Sequence, residues 1–255
     1  MNPKLIQLTV IQLDNYGPWT SGLGGDREHR LQILQTQLYS MMEEKFAELE
    51  GLVFFNRFDE MLAVSNGISE EEHRIIQDAV QKRFPITFSM GIGVAETPFQ
   101  AQLKASRLLQ SKGSAQSAAR QSVIASEGTV DLSQSQVELA HFDVNGITKA
   151  LTDQSSAYQT SLQVMTLYTE LMHQFKQHDA LLFYLGGDNF MGIANGMSYE
   201  HIDSLLSHHR AKDLKLKCGI GVAHTARRAA ELAAVNLDQI RNGNGEKPIL
   251  ATARL

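Results

Sequence analysis

The sequence predicts an α+β protein: a tandem duplication of a ferredoxin-like βαββαβ unit, each unit an antiparallel sheet with helices on one face. Three observations predict this. Short apolar runs, rich in β-branched residues and bounded by turn residues, alternate with longer stretches whose apolar residues recur every three or four positions. The order βαββαβα fills the first 112 residues and recurs after residue 136. The spacing is also nearly constant. Asp14 and Asp143 lie 129 positions apart, as do Asp59 and Asp188, and Asn66-Gly67-x-Ser69 and Asn195-Gly196-x-Ser198, while Gly91–Ala95 returns as Gly219–Ala223 after 128. Two copies are too few for a solenoid and read as a duplication.

The elements follow in order. Leu5–Leu13 is an apolar, β-branched strand ending on Asp14. Leu31, Leu34, Leu38, Met41, Met42, Phe46 and Leu49 mark an amphipathic helix. Leu52–Asn56 and Met61–Ser65 are strands joined at Arg57-Phe58-Asp59-Glu60. Ser69 and Glu72 have capping-box spacing, opening a helix to about Arg83. Phe88–Ala95 is a strand, and Thr97-Pro98 starts a helix with proline at its first position. A Gly-, Ser-, Ala- and Gln-rich stretch follows, with a short strand or helical turn around Val123-Ile124. The second copy has a strand over Val137–Phe142 ending on Asp143. A helix over 156–178 carries Leu162, Met165, Tyr168, Leu171, Met172 and Phe175 on one face, taken as core. A hairpin comes next, with Gly186-Gly187-Asp188-Asn189 at its tip. A helix, the strand Cys218–Ala223, a helix over 229–240 and a last strand at Pro248–Ala251 complete it. The domains predicted are 1–116 and 136–255, with 117–135 as linker.

Composition narrows the function. The chain is 43% hydrophobic and 20% charged, as in a soluble globular protein, and no apolar run approaches membrane-spanning length. The formal charge of −5 argues against a nucleic-acid-coating surface. The single cysteine, Cys218, excludes an intrachain disulfide and a thiolate zinc cluster. The N-terminus lacks the pattern of a signal peptide, so a cytoplasmic location is expected.

The topology should bring Asp14 near Asp59 and Asp143 near Asp188. Converging carboxylates repel, and a divalent cation relieves that repulsion. Oxygen ligands without His or Cys favour Mg²⁺ or Mn²⁺. A general acid/base couple or a salt-bridged structural pair are the alternatives. After the first acidic residue of each copy, the backbone amides of Asn145, Gly146 and Ile147, and of Asn15, Tyr16 and Gly17, can cradle phosphate. Arg57 and Lys217 are candidate phosphate contacts. Tyr16 and Trp19 can stack on a base or pack in the core. His141 shares a sheet face with Asp143, as a neighbour of the site or as a half-buried strand residue. His208 and His209 read as surface residues. No Walker P-loop occurs.

These motifs carry a resemblance. A strand-Asp-x-Asn segment paired with a Gly-Gly-Asp hairpin resembles the palm domain of nucleotide cyclases, diguanylate cyclases and polymerases. The stretches Gln12–Thr20, Arg57–Asp59, Ala95–Pro98, Gly113–Gln116, Leu151–Asp153, Ser156–Tyr158 and Gly186–Met191 resemble, more narrowly, the archaeal GTP cyclohydrolase III family. The resemblance runs from the first strand to about residue 241. It implies an enzyme that opens the guanine imidazole ring of GTP at C8, keeps the formyl group and releases two phosphates, feeding flavin and deazaflavin synthesis. It further implies Mg²⁺ (one to three ions), a monovalent cation such as K⁺, and a homo-oligomer without nucleic-acid or membrane partners. On that reading Asp143, Asp188 and the Val144 carbonyl hold metal. Asp14, Asp59 and Glu60 are candidates for the base of ring opening, and Asp14 with Asp59 for a second metal site. Diguanylate cyclases carry Gly-Gly-Asp-Glu-Phe where this chain has Asn189, which argues against cyclisation. A nucleotidyl cyclase and a non-catalytic GTP-binding regulator remain the alternatives.

Overall fold

The structure, a computed structural model, describes residues 4–145, 155–210, 215–243 and 248–254. The chain divides into two compact units, Met1–Glu96 with Gln100–Ser135, and Thr97–Phe99 with Gln136–Leu255. The first contains β1 (Ile6–Leu13), α1 (Tyr16–Ser21), α2 (Arg27–Ala47), β2 (Leu52–Arg57), β3 (Glu60–Val64), α3 (Glu70–Gln81), β4 (Phe88–Ala95), most of α4 (Pro98–Ser111) and β5 (Ile124–Ser126). The second contains β6 (Val137–Asn145), α5 (Ala157–Lys176), β7 (Leu181–Gly186), β8 (Asn189–Ile193), α6 (Tyr199–Arg210), β9 (Lys215–Ala223), α7 (Ala226–Asn242) and β10 (Ile249–Arg254). Each unit forms a five-stranded sheet, ordered β2-β3-β1-β4-β5 and β10-β9-β6-β8-β7. The duplicated α+β unit expected from the sequence is thus present.

Two details of that expectation change. The sheets are mixed, because β5 runs parallel to β4 and β10 parallel to β9. Helices also cover both faces. On one face of the first sheet, Ile11, Leu13, Met61, Ala63 and Met90 pack with Leu38, Met42 and Phe46 of α2 and Ile76 and Val80 of α3. The opposite face is taken by α4. A Cβ at Gly91 or Gly93 would run into the carbonyls of Ala105 and Ala101, so the glycines let the helix lie against the strand. The second unit repeats this. Phe142, Phe190 and Ile220 meet Leu171 and Phe175 of α5 and Ile202 and Leu205 of α6. Gly219 and Gly221 meet the Ala233 and Ala229 carbonyls of α7 on the other side. The Gly-x-Gly of each copy is therefore a helix seat.

Local chemistry sets the ends. Ser69 accepts from the Glu72 amide while the Glu72 carboxylate accepts from the Ser69 amide at 2.7 Å, the capping box that opens α3. The stretch read as a linker contributes β5 to the first sheet, and Val130 donates its amide to Gln7 Oε1 at 2.7 Å.

One asparagine per unit clamps the start of the central strand. Asn66 Oδ1 accepts from the Gln7 amide at 3.0 Å, and its Nδ2 donates to the Leu5 carbonyl at 3.1 Å. Asn195 does the same to the Glu138 amide and the Gln136 carbonyl, at 3.0 and 2.7 Å. Gln7 and Glu138 are therefore equivalent, at a separation of 131 rather than 129. Leu8 pairs with Val64 and Gly93, and Leu139 with Ile193 and Gly221, which gives the same offset. The constant spacing in the sequence thus hides a two-residue slip in the first strand. Asp143 is the counterpart of Gln12, not of Asp14, and lies inside β6 rather than beyond it.

The periodicity on α5 is also corrected. Its buried residues are Val164, Leu167, Leu171 and Phe175, whereas Leu162, Met165 and Met172 are exposed. Leu171 and Phe175 fall on the face the sequence chose; the apolar stripe is wider than the strip the sheet covers.

Glu138 is a register substitution with a titratable consequence. In the first unit the equivalent Gln7 donates Nε2 to the carbonyls of Ser65 and Ile68, at 2.7 and 2.9 Å. Burial pushes the Glu138 carboxyl up to about 7. The native state then holds a proton that the unfolded chain releases near its ordinary value of 4.5, so stability falls as pH rises from about 4.5 to above 7. E138Q removes that slope. Urea unfolding should show the variant equal to the native sequence near pH 4.5 and roughly 1–3 kcal/mol more stable at pH 8.5; parallel curves would contradict the assignment.

Candidate functional site

The hairpin tip of the second unit is shaped by Gly186 and Gly187, with φ of 111° and 61°, and no heavy atom stands within 4 Å of where either Cβ would be. Tyr184 donates its hydroxyl to the Gly187 carbonyl at 3.1 Å. The tip docks on β6, where the Val144 amide donates to the Asp188 carbonyl at 3.2 Å. The first unit has the same bond from the Leu13 amide to the Asp59 carbonyl, at 2.9 Å. The hairpin tip thus docks by one backbone bond on the central strand in both units, beside Asp14 in the first and Asp143 in the second.

Around Asp143 the strand pairing builds a polar row. Asp143 stands opposite Asn189 on β8 and Lys217 on β9. All three share the face covered by α7, since alternate residues of a strand share a face. Arg241, in the last turn of α7, donates to Asp143 Oδ1 at 2.6 Å and to Asn189 Oδ1 at 3.3 Å. Asn189 Nδ2 donates to Asp188 Oδ1 at 3.0 Å. One hydrogen-bonded chain thus links Asp188, Asn189, Arg241 and Asp143. Asp143 is buried, Asp188 and Lys217 half-buried. The Asp143 hydrogen bond raises the Arg241 pKa. His141 lies one row along on the same face; among the described residues neither ring nitrogen makes a well-formed hydrogen bond, and Asn189 is the polar side chain that interacts with the ring. Its pKa is lowered, first by burial and then by the Arg241 charge, so the ring is neutral at pH 7. Gly146 and Ile147 lie outside the described residues. Asn145 ends β6 opposite Lys215.

The first unit does not build the same site. Asp14 is closed off: Oδ1 accepts from Ser89 Oγ at 2.8 Å and from Arg120 at 3.1 Å, and Oδ2 from the Ser122 amide at 2.9 Å. The Asp14 side chain is 0% exposed and that of Arg120 2%. This geometry is that of the salt-bridged structural alternative, and it argues against Asp14 as a base or as a metal ligand shared with Asp59. At the register position of Asp143 stands Gln12, whose Nε2 donates to Glu60 at 3.2 Å. Asn56 and Arg57 also donate to the Glu60 carboxylate, at 2.9 and 3.4 Å, and Arg57 lies 3.5 Å from Asp59. Carboxylate and amide have exchanged strands between the units: Gln12 with Glu60 in one, Asp143 with Asn189 in the other. Glu60 is committed to three donors, which argues against it as a free base. The Asn15 amide donates to the Ala115 carbonyl, so it does not serve a phosphate cradle. Tyr16 accepts from Gln35, and its ring lies 5.9 Å from Trp19; both aromatics pack against the first core. Arg57 is exposed. His208 is exposed as expected, but His209 is buried and bonded to Gln174 at 3.1 Å.

Sequence reasoning missed Arg241 and Arg120. Each is remote in sequence from the aspartate it meets. A basic residue in the last turn of the final helix was the available signal for Arg241.

Among the described residues no three His, Cys, Asp or Glu side chains form a metal-binding cluster. The groups gathered at the hairpin are instead two carboxylates and backbone carbonyls at the end of a sheet, with Arg241 and Lys217 beside Asp143. That hard-oxygen set fits Mg²⁺ and not a thiolate or imidazole zinc site.

The fold and site define a duplicated α+β protein with an acidic centre at the hairpin of its second repeat. The family model described as GTP cyclohydrolase III matches residues 6–254. The GTP cyclohydrolase III of Methanothermobacter thermautotrophicus is 48% identical over 240 residues, 94% of this chain and 96% of that protein. That of Methanocaldococcus jannaschii is 45% identical over 240 residues, 93% of this chain and 88% of that protein. The chain belongs to the GTP cyclohydrolase III family, a family of enzymes. Among solved structures, the GGDEF domain of DgcB from Caulobacter crescentus, in complex with c-di-GMP, matches 46% of this chain and 77% of its own at 14% identity and a TM-score of 0.38, a likeness too slight to carry an argument. Among the described residues no helix is long and apolar enough to cross a membrane.

The two aspartates should separate by stability. Asp14→Asn leaves Arg120 buried without its counter-charge and should cost about 3–5 kcal/mol in urea unfolding. Asp188→Asn, at a half-exposed tip, should stay within about 1 kcal/mol of the native sequence.

Proposed function

We propose that this chain is a Mg²⁺-dependent GTP cyclohydrolase III working from the second repeat. GTP loses aromaticity in its imidazole ring by hydrolysis at C8, retains the formyl group and sheds two phosphates, leaving a formylaminopyrimidine ribonucleoside monophosphate for flavin or deazaflavin synthesis. The family membership supports GTP as substrate. The observation that carries the choice of repeat is the sealing of Asp14 in a buried ion pair while Asp143 and Asp188 stay at the open hairpin.

On this reading Asp143, Asp188 and the Val144 carbonyl hold Mg²⁺. When bound, the cation neutralises phosphate oxygens and polarises phosphorus. The chain's own groups do the rest. The Gly186–Gly187 turn presents backbone without side chains, so a triphosphate can approach closely. Lys217, half-buried opposite Asp143, supplies positive charge for its oxygens. Within the second repeat the candidate base for C8 attack is His141, whose neutral ring can accept a proton. A monovalent cation such as K⁺ and a homo-oligomeric state belong to the same reading.

Product analysis with GTP and Mg²⁺ tests it. Loss of the purine absorbance band with two equivalents of inorganic phosphate is expected. An intact purine with pyrophosphate release would make the chain a cyclase, and Mg²⁺-dependent binding without turnover a regulator. D143N and D188N should each lower kcat by at least about 100-fold, the scale on which a lost transition-state charge contact is felt, while Asp59→Asn changes it less. Equal retention of activity in all three would sink the metal proposal.

A further inference from the structure

The ion pair between Arg241 and Asp143 does more than tie α7 to β6. Asp143 is buried at the end of a sheet, and its Oδ1 receives the guanidinium at 2.6 Å. A buried carboxylate needs a counter-charge. Here a side chain on a different element supplies it, and does so at a carboxylate assigned above to the cation. Arg241 is not locked there. Its side chain is 37% exposed, against 11% for Asp143, and its other contacts, Asn189 at 3.3 Å and Asp238 at 3.4 Å, are longer. Asp238 lies one turn back on the same helix and offers the guanidinium a second carboxylate, itself exposed. The neighbouring groups admit the exchange. Asn189 carries no charge, while Lys217 stands opposite Asp143 on β9 and stays as a positive neighbour when Arg241 leaves.

We propose that Arg241 is an internal counter-ion for the metal site: it holds Asp143 when no divalent cation is present, and is displaced from Asp143 toward Asp238 when one binds. This rests on the assignment of Asp143 as a metal ligand. The exchange has two consequences. The Asp143 carboxylate is held in place before metal arrives, so the empty site does not unfold for want of charge. Metal affinity is also set lower than the carboxylates alone would give, because each binding event breaks an ion pair.

Binding of Mn²⁺ alone, followed by calorimetry or by electron paramagnetic resonance of the free ion, tests this without any turnover. R241Q keeps a hydrogen-bonding head without the charge. It should bind Mn²⁺ roughly tenfold more tightly than the native protein, the scale of one like charge removed from about 5 Å. Its unfolding midpoint without metal should fall, and added Mn²⁺ should raise that midpoint more than in the native protein. R241K, which keeps the charge, should bind Mn²⁺ as the native protein does. Unchanged or weaker Mn²⁺ binding by R241Q would overturn the counter-ion role. Absence of Mn²⁺ binding by the native protein and by R241Q alike would instead overturn the metal assignment itself. If R241Q does not fold, D238N gives the second arm. Loss of the parking carboxylate should weaken Mn²⁺ binding by about threefold, since only a half-exposed ion pair is lost, and no change would count against the proposal.

Discussion

The grip of Asn66 and Asn195 on the central strands is the constraint from which the rest of the molecule follows. Each side chain satisfies an amide and a carbonyl of the neighbouring strand two residues apart, so it holds the start of that strand against the turn after the hairpin. In a strand a slip of one residue would turn every side chain to the wrong face. Once β1 and β6 are fixed, the glycines of β4 and β9 fall beneath their helices, and Phe142 and Ile11 fall into their cores. The same bond decides that Asp143 faces α7, opposite Asn189, and that Asp14 runs on past its strand to a closed pocket. Site and scaffold are set by one pair of polar side chains.

The two halves solve one architecture with different electrostatics. In the first, a buried aspartate is matched by a buried arginine and two further donors. Such a pair is a costly thing to build and costlier to break. It fastens Ser122, at the start of the segment that leads into β5, to the end of β1. In the second, the aspartate sits two residues earlier, at the open end of the sheet, with a partly exposed arginine beside it. The charge that locks one half is left available in the other.

Much of this was legible in the sequence, and the rest was not for definite reasons. Strand and helix positions followed from periodicity, the α3 cap from Ser69 and Glu72, and the hairpin from Gly186-Gly187-Asp188. The closeness of hairpin tip and central strand followed from topology. Strand register was not legible, because an aspartate closely followed by asparagine at the end of each first strand invites the alignment of Asp14 with Asp143, and a two-residue slip keeps the face alternation that a pattern can see. The second helical layer was hidden in Gly-x-Gly, whose role appears when the helix opposite is in place. The exposed face of α5 was misread because Leu162, Met165 and Met172 share helical spacing with Leu171 and Phe175, and spacing alone does not say how wide a strip the sheet covers. Arg120 and Arg241 were missed because a charge partner 98 or 106 residues away leaves no local trace.

The two-residue slip also bears on descent. If one gene segment was copied, the halves began with the same number of residues between first strand and hairpin, and they no longer have it. The loss or gain fell in the segment joining β1 to β2 or β6 to β7, outside the strands, where the hydrogen-bonded frame could absorb it. The acidic residues then drifted to different ladder positions, one inward and one outward. A chimera that exchanged halves by matching Asp-Asn with Asp-Val-Asn would join strands out of step, whereas one cut by the asparagine clamps would keep the hydrogen bonds of both parents. Ancestry in this chain is recorded in its ladder, not in its most conspicuous letters.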